Sequence, residues 1–187
     1  MTDTLNKQRI RIAGAFEKHF RHFGFKKTVV DDVATELGVS KKTIYNAFDS
    51  KEDIFYFVIS RKAEARRAMI EKEIEHLGSA MAKMEEMIRI NFTEFRKIHQ
   101  RKIKAFEDRF QTEIAAGAFR QAFYQMVSDI VSEGVENDEF EVCDHEMTVS
   151  YIQVLIAESF KMIREGNALN PEAPLICTIK KILNKRT

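Results

Sequence analysis

The sequence predicts an all-α protein, on three observations. Gly (7) and Pro (2) are scarce among 187 residues, too few to punctuate a series of short strands and tight turns. Charged residues make up 32% of the chain, and Glu, Lys and Arg, with Ala, Leu and Met, are good helix formers. Apolar residues recur in steps of three and four, the period that gathers side chains on one helical face. A hydrophobic content of 44% supplies a sizeable core, and the length allows one large domain or two small ones.

The elements follow in order. A first helix spans Asn6 to Phe23, with Ile10, Ala13, Phe16, Phe20 and Phe23 on one face and Gly24 as its C-terminal cap. A short second helix carries Val30, Val33, Ala34 and Leu37, with Thr28 placed to cap it and Asp31 and Asp32 in its first turn. Gly38 and Val39 break it, and Ser40 caps a third helix, Lys41 to Phe48. Asp49 and Ser50 open a long fourth helix towards Leu77, ended by Gly78. Met81, Met84, Ile88, Phe92 and Phe95 mark a fifth, ending near His99. Ile103, Phe106 and Phe110 mark a shorter one before Ala115-Ala116-Gly117. Phe119, Phe123, Met126, Val127, Ile130 and Val131 form the next stripe, which stops around Gly134. Helices from Asp144 to Arg164 and from Ala173 to Lys185 close the chain, separated by the loop Asn167 to Pro174.

Net charge is only +1, but it is unevenly spread. Residues 1–51 hold ten Lys and Arg against six acids, and the remainder holds 20 against 23. A basic head on a mildly acidic body suits a nucleic-acid partner. Cys143 and Cys177 fit no zinc-ligand spacing, so reduced thiols are expected. The N-terminus lacks the apolar run of a signal peptide, and the uncharged stretch Met147 to Ala157 is too short for a bilayer. A soluble, cytoplasmic protein with no membrane partner is expected.

The strongest functional signal lies in VVDDVATELGVSKKTIYNAF, starting at Val29. Two short helices crossing at a three-residue turn need a small residue at the crossing (Ala34), a glycine in the turn (Gly38) and apolar plugs (Val39, Ile44). All are in register, which defines a helix-turn-helix whose second helix enters the major groove. At about 100° per residue, Ile44 and Phe48 face inward with Lys41 and Ala47 beside them. Lys42 and Asn46 face most directly outward, between Thr43 and Tyr45. Lys donates to guanine, Asn pairs with adenine, and Thr meets a thymine methyl. Thr28, Ser40 and Lys51 stand at helix starts suited to phosphates. The DNA-binding candidates are thus Thr28, Ser40, Lys41, Lys42, Thr43, Tyr45, Asn46 and Lys51.

The run from Gly24 to Ile54 resembles the N-terminal signature of the TetR family. The matching residues are Gly24-Phe25, Thr28, Val33-Ala34, Gly38-Val39-Ser40, Thr43-Ile44-Tyr45, Phe48 and Ser50-Lys51-Glu52. Ala47 and Lys42 depart from the family pattern, Ala47 where many relatives carry His or Tyr. The resemblance implies a helix-turn-helix DNA-binding domain over 1–50 and a helical ligand-binding and dimerisation domain over 51–187. It implies homodimers that bind a near-palindromic operator and release it when a small molecule occupies the body. It also implies that Tyr45 and Lys51 grip phosphates.

In the body, soft and aromatic side chains concentrate in the middle helices, and such residues line adaptable apolar cavities as well as cores. The candidates for a hydrophobic or aromatic ligand are Met84, Ile88, Phe92, Phe95, Phe106, Phe110, Phe123, Tyr124 and Val127, with Tyr124, Gln125, His99 or Tyr151 as polar contacts. Met147, Tyr151, Val154, Leu155, Ile176, Ile179 and Leu183 sit where the family places its dimer bundle, and some of them must face the subunit's own core. His19 and His22, and the group Cys143-Asp144-His145-Glu146, read as surface and helix-cap residues, so neither metal nor cofactor is expected. No nucleophile elbow, phosphate-cradling Gly loop or HExxH occurs, and no enzyme is expected. The alternative to a ligand-responsive repressor is a helical carrier or sensor of apolar molecules with no transcriptional role.

Overall fold

The computed structural model describes residues 2–100, 109–167 and 170–183, with side chains over 5–97, 111–167 and 170–183. Among these residues there are eight helices and no strand: α1 Thr2–Phe23, α2 Val30–Leu37, α3 Lys41–Tyr45, α4 Lys51–Ile74, α5 Ala80–Gln100, α6 Arg109–Glu136, α7 His145–Arg164 and α8 Glu172–Leu183. They divide into two compact units. One takes the described residues up to Lys62 and those from Arg109 to Ala118, and the other takes the rest. The dividing point between Lys62 and Ala63 falls inside α4.

The first unit is held by a core of Ile12, Ala13, Phe16, Val33, Ala34, Ile44, Phe48, Ile54 and Val58. The buried face of α1 differs from the expected stripe, because Ile12 is 2% exposed while Ile10 and Phe23 are 36% and 51% exposed. Phe16 anchors the unit at 0% exposure, and its truncation to Ala would cost about 3–5 kcal/mol. Gly24 ends α1 at φ +80°, a conformation a side chain would strain. Next to this core, Phe20, Phe25 and Phe55 form an aromatic trio with centroids 5.2–5.5 Å apart.

The second unit buries the inner half of α4 with α5 to α8. Its core includes Ile70, Met84, Ile88, Phe92, Val127, Val131, Val149, Ile152, Ile179 and Leu183. Ion pairs tie α5 to α8, Arg96 with Glu172 at 2.7 Å and Lys180 with Glu85 at 2.6 Å.

Several boundaries differ from expectation, each for a local reason. Ala115-Ala116-Gly117 does not interrupt α6, which runs unbroken from Arg109; one glycine costs a helix about 1 kcal/mol, which packing elsewhere along 28 residues outweighs. Gly134 does not end α6 either. A Cβ there would sit inside the Phe140 ring, and the Gly134 carbonyl accepts the N–H groups of Glu139 and Phe140 at 2.8 and 2.9 Å. The glycine admits the returning loop. The fourth helix stops at Ile74 rather than Leu77, and Pro174 lies in the first turn of α8. Asp144 caps α7 as expected, accepting from the Met147 N–H at 2.8 Å.

Candidate nucleic-acid interface

The turn between α2 and α3 is set by Gly38, left-handed at φ +66° and ψ +34°. Its N–H donates to the Thr35 carbonyl and that of Val39 to the Ala34 carbonyl, at 3.1 and 3.0 Å, which closes the end of α2. The Ser40 hydroxyl accepts from the Thr43 N–H at 3.1 Å and lies 2.9 Å from the Thr43 hydroxyl. That bond starts α3 in a fixed direction. Ile44, at 0% exposure, pins the short helix to the core.

This leaves Lys42, Tyr45 and Asn46 exposed together, with Thr43 half-buried. The helix itself ends at Tyr45 rather than Phe48, and Asn46 is its C-cap residue. Ser40 is exposed as well, bonded to Thr43.

Three candidates are committed within the chain. Thr28 is 3% exposed, and its hydroxyl donates to the Gly24 carbonyl at 2.8 Å. It does not cap α2, whose N-cap is Val29 with no side-chain bond, and its only hydroxyl hydrogen is already used. Lys41 pairs with Asp31 of α2, Nζ to Oδ2 at 3.0 Å. The hydrogen bond and charge of Asp31 hold the Lys41 ammonium above its ordinary value. Lys51 donates to the Phe25 and Thr28 carbonyls at 3.0 and 3.2 Å and lies over the Phe25 ring at 4.5 Å.

Arg9, Arg11 and His19, the last expected at the surface, brace the same unit. The Arg9 guanidinium lies over Phe48 and Phe57, 4.6 and 4.7 Å from the ring centroids. Arg11 donates to the Leu37 carbonyl at 2.8 Å, and His19 meets Glu36 at 2.7 Å. The two hydrogen-bonded pairs join residues 26 and 17 apart in sequence, and the Arg9 contacts reach further still, distances at which no local pattern reveals them.

Residues 14–56 match the family model of bacterial regulatory proteins, tetR family. The chain is 32% identical over 171 residues to the HTH-type transcriptional regulator YhgD of Bacillus subtilis (strain 168), covering 86% of this chain and 87% of that one. The chain belongs to the TetR family. It is a helix-turn-helix transcriptional regulator by membership, and its relatives are regulators rather than enzymes. A second Bacillus subtilis regulator, YezE, is 27% identical over 60 residues, 32% of this chain and 31% of that one.

Among solved structures, the fold is similar to that of RolR in complex with resorcinol, with a TM-score of 0.73 and 13% identity over 98% of this chain and 90% of that one. It is also similar to FadR from Bacillus subtilis in complex with stearoyl-CoA, with a TM-score of 0.60 and 18% identity over 92% and 96%. These likenesses show the TetR-family fold.

In the body of this TetR-family chain, Met84, Ile88, Phe92, Phe123 and Val127 are buried in the core. Phe92 and Phe95 pack on Phe160 with centroids 4.4 and 4.8 Å apart. Tyr124 is 38% exposed. Phe106 lies outside the described residues, as do the side chains of Phe110 and His99. An open groove of about 420 Å³ is bordered instead by charged residues of α4, α5 and α6, with Ile74, Met126 and Ile130 as its apolar floor. None of the residues expected to line a ligand cavity borders it. Gln153 is a buried polar side chain that sequence reading passed over, and its Nε2 has no hydrogen-bond partner among the described residues.

The dimer candidates separate into two groups. Met147, Tyr151 and Val154 are 47%, 56% and 61% exposed. Ile179 and Leu183 are instead in the subunit's own core, at 1% and 0%, and Leu155 and Ile176 pack half-buried against it. Ile179 and Leu183 face inward in the fold itself, so these two are corrected from interface to core. No described helix is long and apolar enough to cross a membrane.

Proposed function

We propose that this protein is a ligand-responsive repressor that binds a near-palindromic operator as a homodimer and releases it on binding a small hydrophobic or aromatic molecule. The supporting observation is the head: a left-handed Gly38 turn and a Ser40-capped α3 that leave Lys42, Tyr45 and Asn46 together on the surface. Lys42 and Asn46 read bases, Thr43 lies against them, and Ser40 and Tyr45 grip phosphates. Residues 1–50 provide the DNA-binding part and 51–187 the sensing and dimerising part.

Symmetry follows from the way such heads are used. Two copies meet major grooves about 34–36 Å apart, or a multiple of that. The exposed apolar stripe Met147, Tyr151 and Val154 on α7 is the surface offered to a second copy. A ligand that favours a body conformation with a different head spacing lowers operator affinity. The fold relatives RolR and FadR hold resorcinol and stearoyl-CoA respectively, which supports an apolar or aromatic ligand here. Gln153, whose buried amide nitrogen has no partner among the described residues, offers that ligand a hydrogen bond.

Selection of bound sequences from random duplex DNA tests the reading. A two-fold symmetric site is expected, and compounds of the phenol and fatty-acyl classes are then screened for release. Lys42→Ala and Asn46→Ala should each relax preference at defined base pairs by about 1–3 kcal/mol. Equal losses on operator and random DNA would remove the base-reading role.

A further inference from the structure

Lys41 and Lys42 are neighbours at the start of the reading helix, yet they differ in one respect. Lys41 Nζ lies 3.0 Å from Asp31 Oδ2. Lys42 has no carboxylate partner among the described residues and is exposed. Asp31 is exposed too, at 61% of its side chain against 52% for Lys41, so the pair stands on the outer surface of the helix-turn-helix.

We propose that Asp31 restrains the affinity of this head for DNA by neutralising Lys41, making Asp31 a positioning residue that acts through the lysine. The inference rests on the DNA-binding reading above. A phosphate attracts Lys41 only by competing with Asp31. If the lysine swings to the phosphate, it leaves a carboxylate unpaired near a row of negative charges. If it stays, the pair looks neutral from a Debye length away, about 10 Å at 0.1 M salt. Either way Lys41 adds little to the counterions released on binding, which set the salt dependence of affinity.

Asp31 is not needed for the fold. An exposed ion pair contributes little to stability, and Asp32 still serves the positive end of α2. The arrangement therefore bears on binding, where a lower non-specific affinity leaves more of the protein free to find its site.

The test titrates operator and random duplexes with the full chain over a range of salt, for wild type, Asp31→Asn, Lys41→Met and the double variant. Asp31→Asn should tighten binding to both duplexes about three- to tenfold at low salt, and steepen the slope of log K against log salt by about 0.9. Asp31→Asn in the Lys41→Met background should give less than about a twofold gain, because the freed charge is gone. An unchanged slope in Asp31→Asn, or an equal gain with Lys41 removed, would overturn the inference while leaving DNA binding intact. A wild type that binds neither duplex overturns the DNA-binding reading and this inference with it. Thermal melts of all four proteins should agree, separating a binding effect from loss of fold.

Discussion

The Lys51 ammonium lies 3.0 Å from the Phe25 carbonyl and 3.2 Å from the Thr28 carbonyl, over the face of the Phe25 ring. It therefore fastens the turn between α1 and α2 to the start of α4. Charge-assisted bonds of this kind contribute about 1.5–3 kcal/mol and a cation over a ring about 0.5–1 kcal/mol, less the cost of partial desolvation. Lys51→Ala should then lower the unfolding free energy by about 1–2 kcal/mol, measured in urea. An unchanged midpoint would return the lysine to a role on DNA alone. The outward set Lys42, Tyr45 and Asn46 was legible because exposure along a helix follows from 100° per residue. The bonds of Thr28, Lys41 and Lys51 were not. Thr28 bonds its own turn instead of the helix ahead, and the lysines find partners 10 to 26 residues away.

Between elements, Glu17 links α1 to α4. Burial raises its pKa, but Lys62, 3.1 Å away on α4, and Arg21 on its own helix outweigh that and hold it below the ordinary 4.5. A carboxyl depressed on folding stabilises the folded state fully above its unfolded pKa, and that contribution fades as pH falls through the lower folded value. The head should therefore lose this link as pH falls below about 4.5, and Glu17→Gln should flatten that part of the stability profile, a little less stable than wild type at neutral pH and converging with it in acid. An identical acid profile in the variant would exclude the link. Helix existence was readable at this scale from the apolar period, since stripes such as Met84–Ile88–Phe92 became buried faces. Helix ends were less so, because a glycine has more than one use. Gly24 and Gly38 stop helices through positive φ, whereas Gly134 stays helical to make room for Phe140. Gly134→Ala should cost about 1–3 kcal/mol by overpacking, against a small gain expected for an ordinary helical glycine, a difference of sign that thermal melting resolves.

For the whole molecule, the open question in the sequence is which apolar faces are core and which await a partner. Met147, Tyr151 and Val154 share their chemistry with Ile179 and Leu183, and periodicity places all five on stripes. Only tertiary packing sorts them, burying the last two and leaving the first three on one exposed face of α7 at steps of four and three. Leaving such a stripe in water forgoes about 25 cal/mol for each Å² that a partner would cover, and a stable pair covers about 800 Å² per subunit. Met147, Tyr151 and Val154 would form the centre of that area. Val154→Asp should therefore yield a monomer in sedimentation velocity with unchanged helicity, because the position is 61% exposed. Ile179→Asp, at a position 1% exposed, should instead unfold the chain, by placing a charge in the core. The monomer should also bind a two-fold operator at least about tenfold more weakly, since each head then engages its half-site without the effective concentration of a tethered partner. A Val154→Asp protein that remains a dimer with full operator affinity would move the interface off this face of α7.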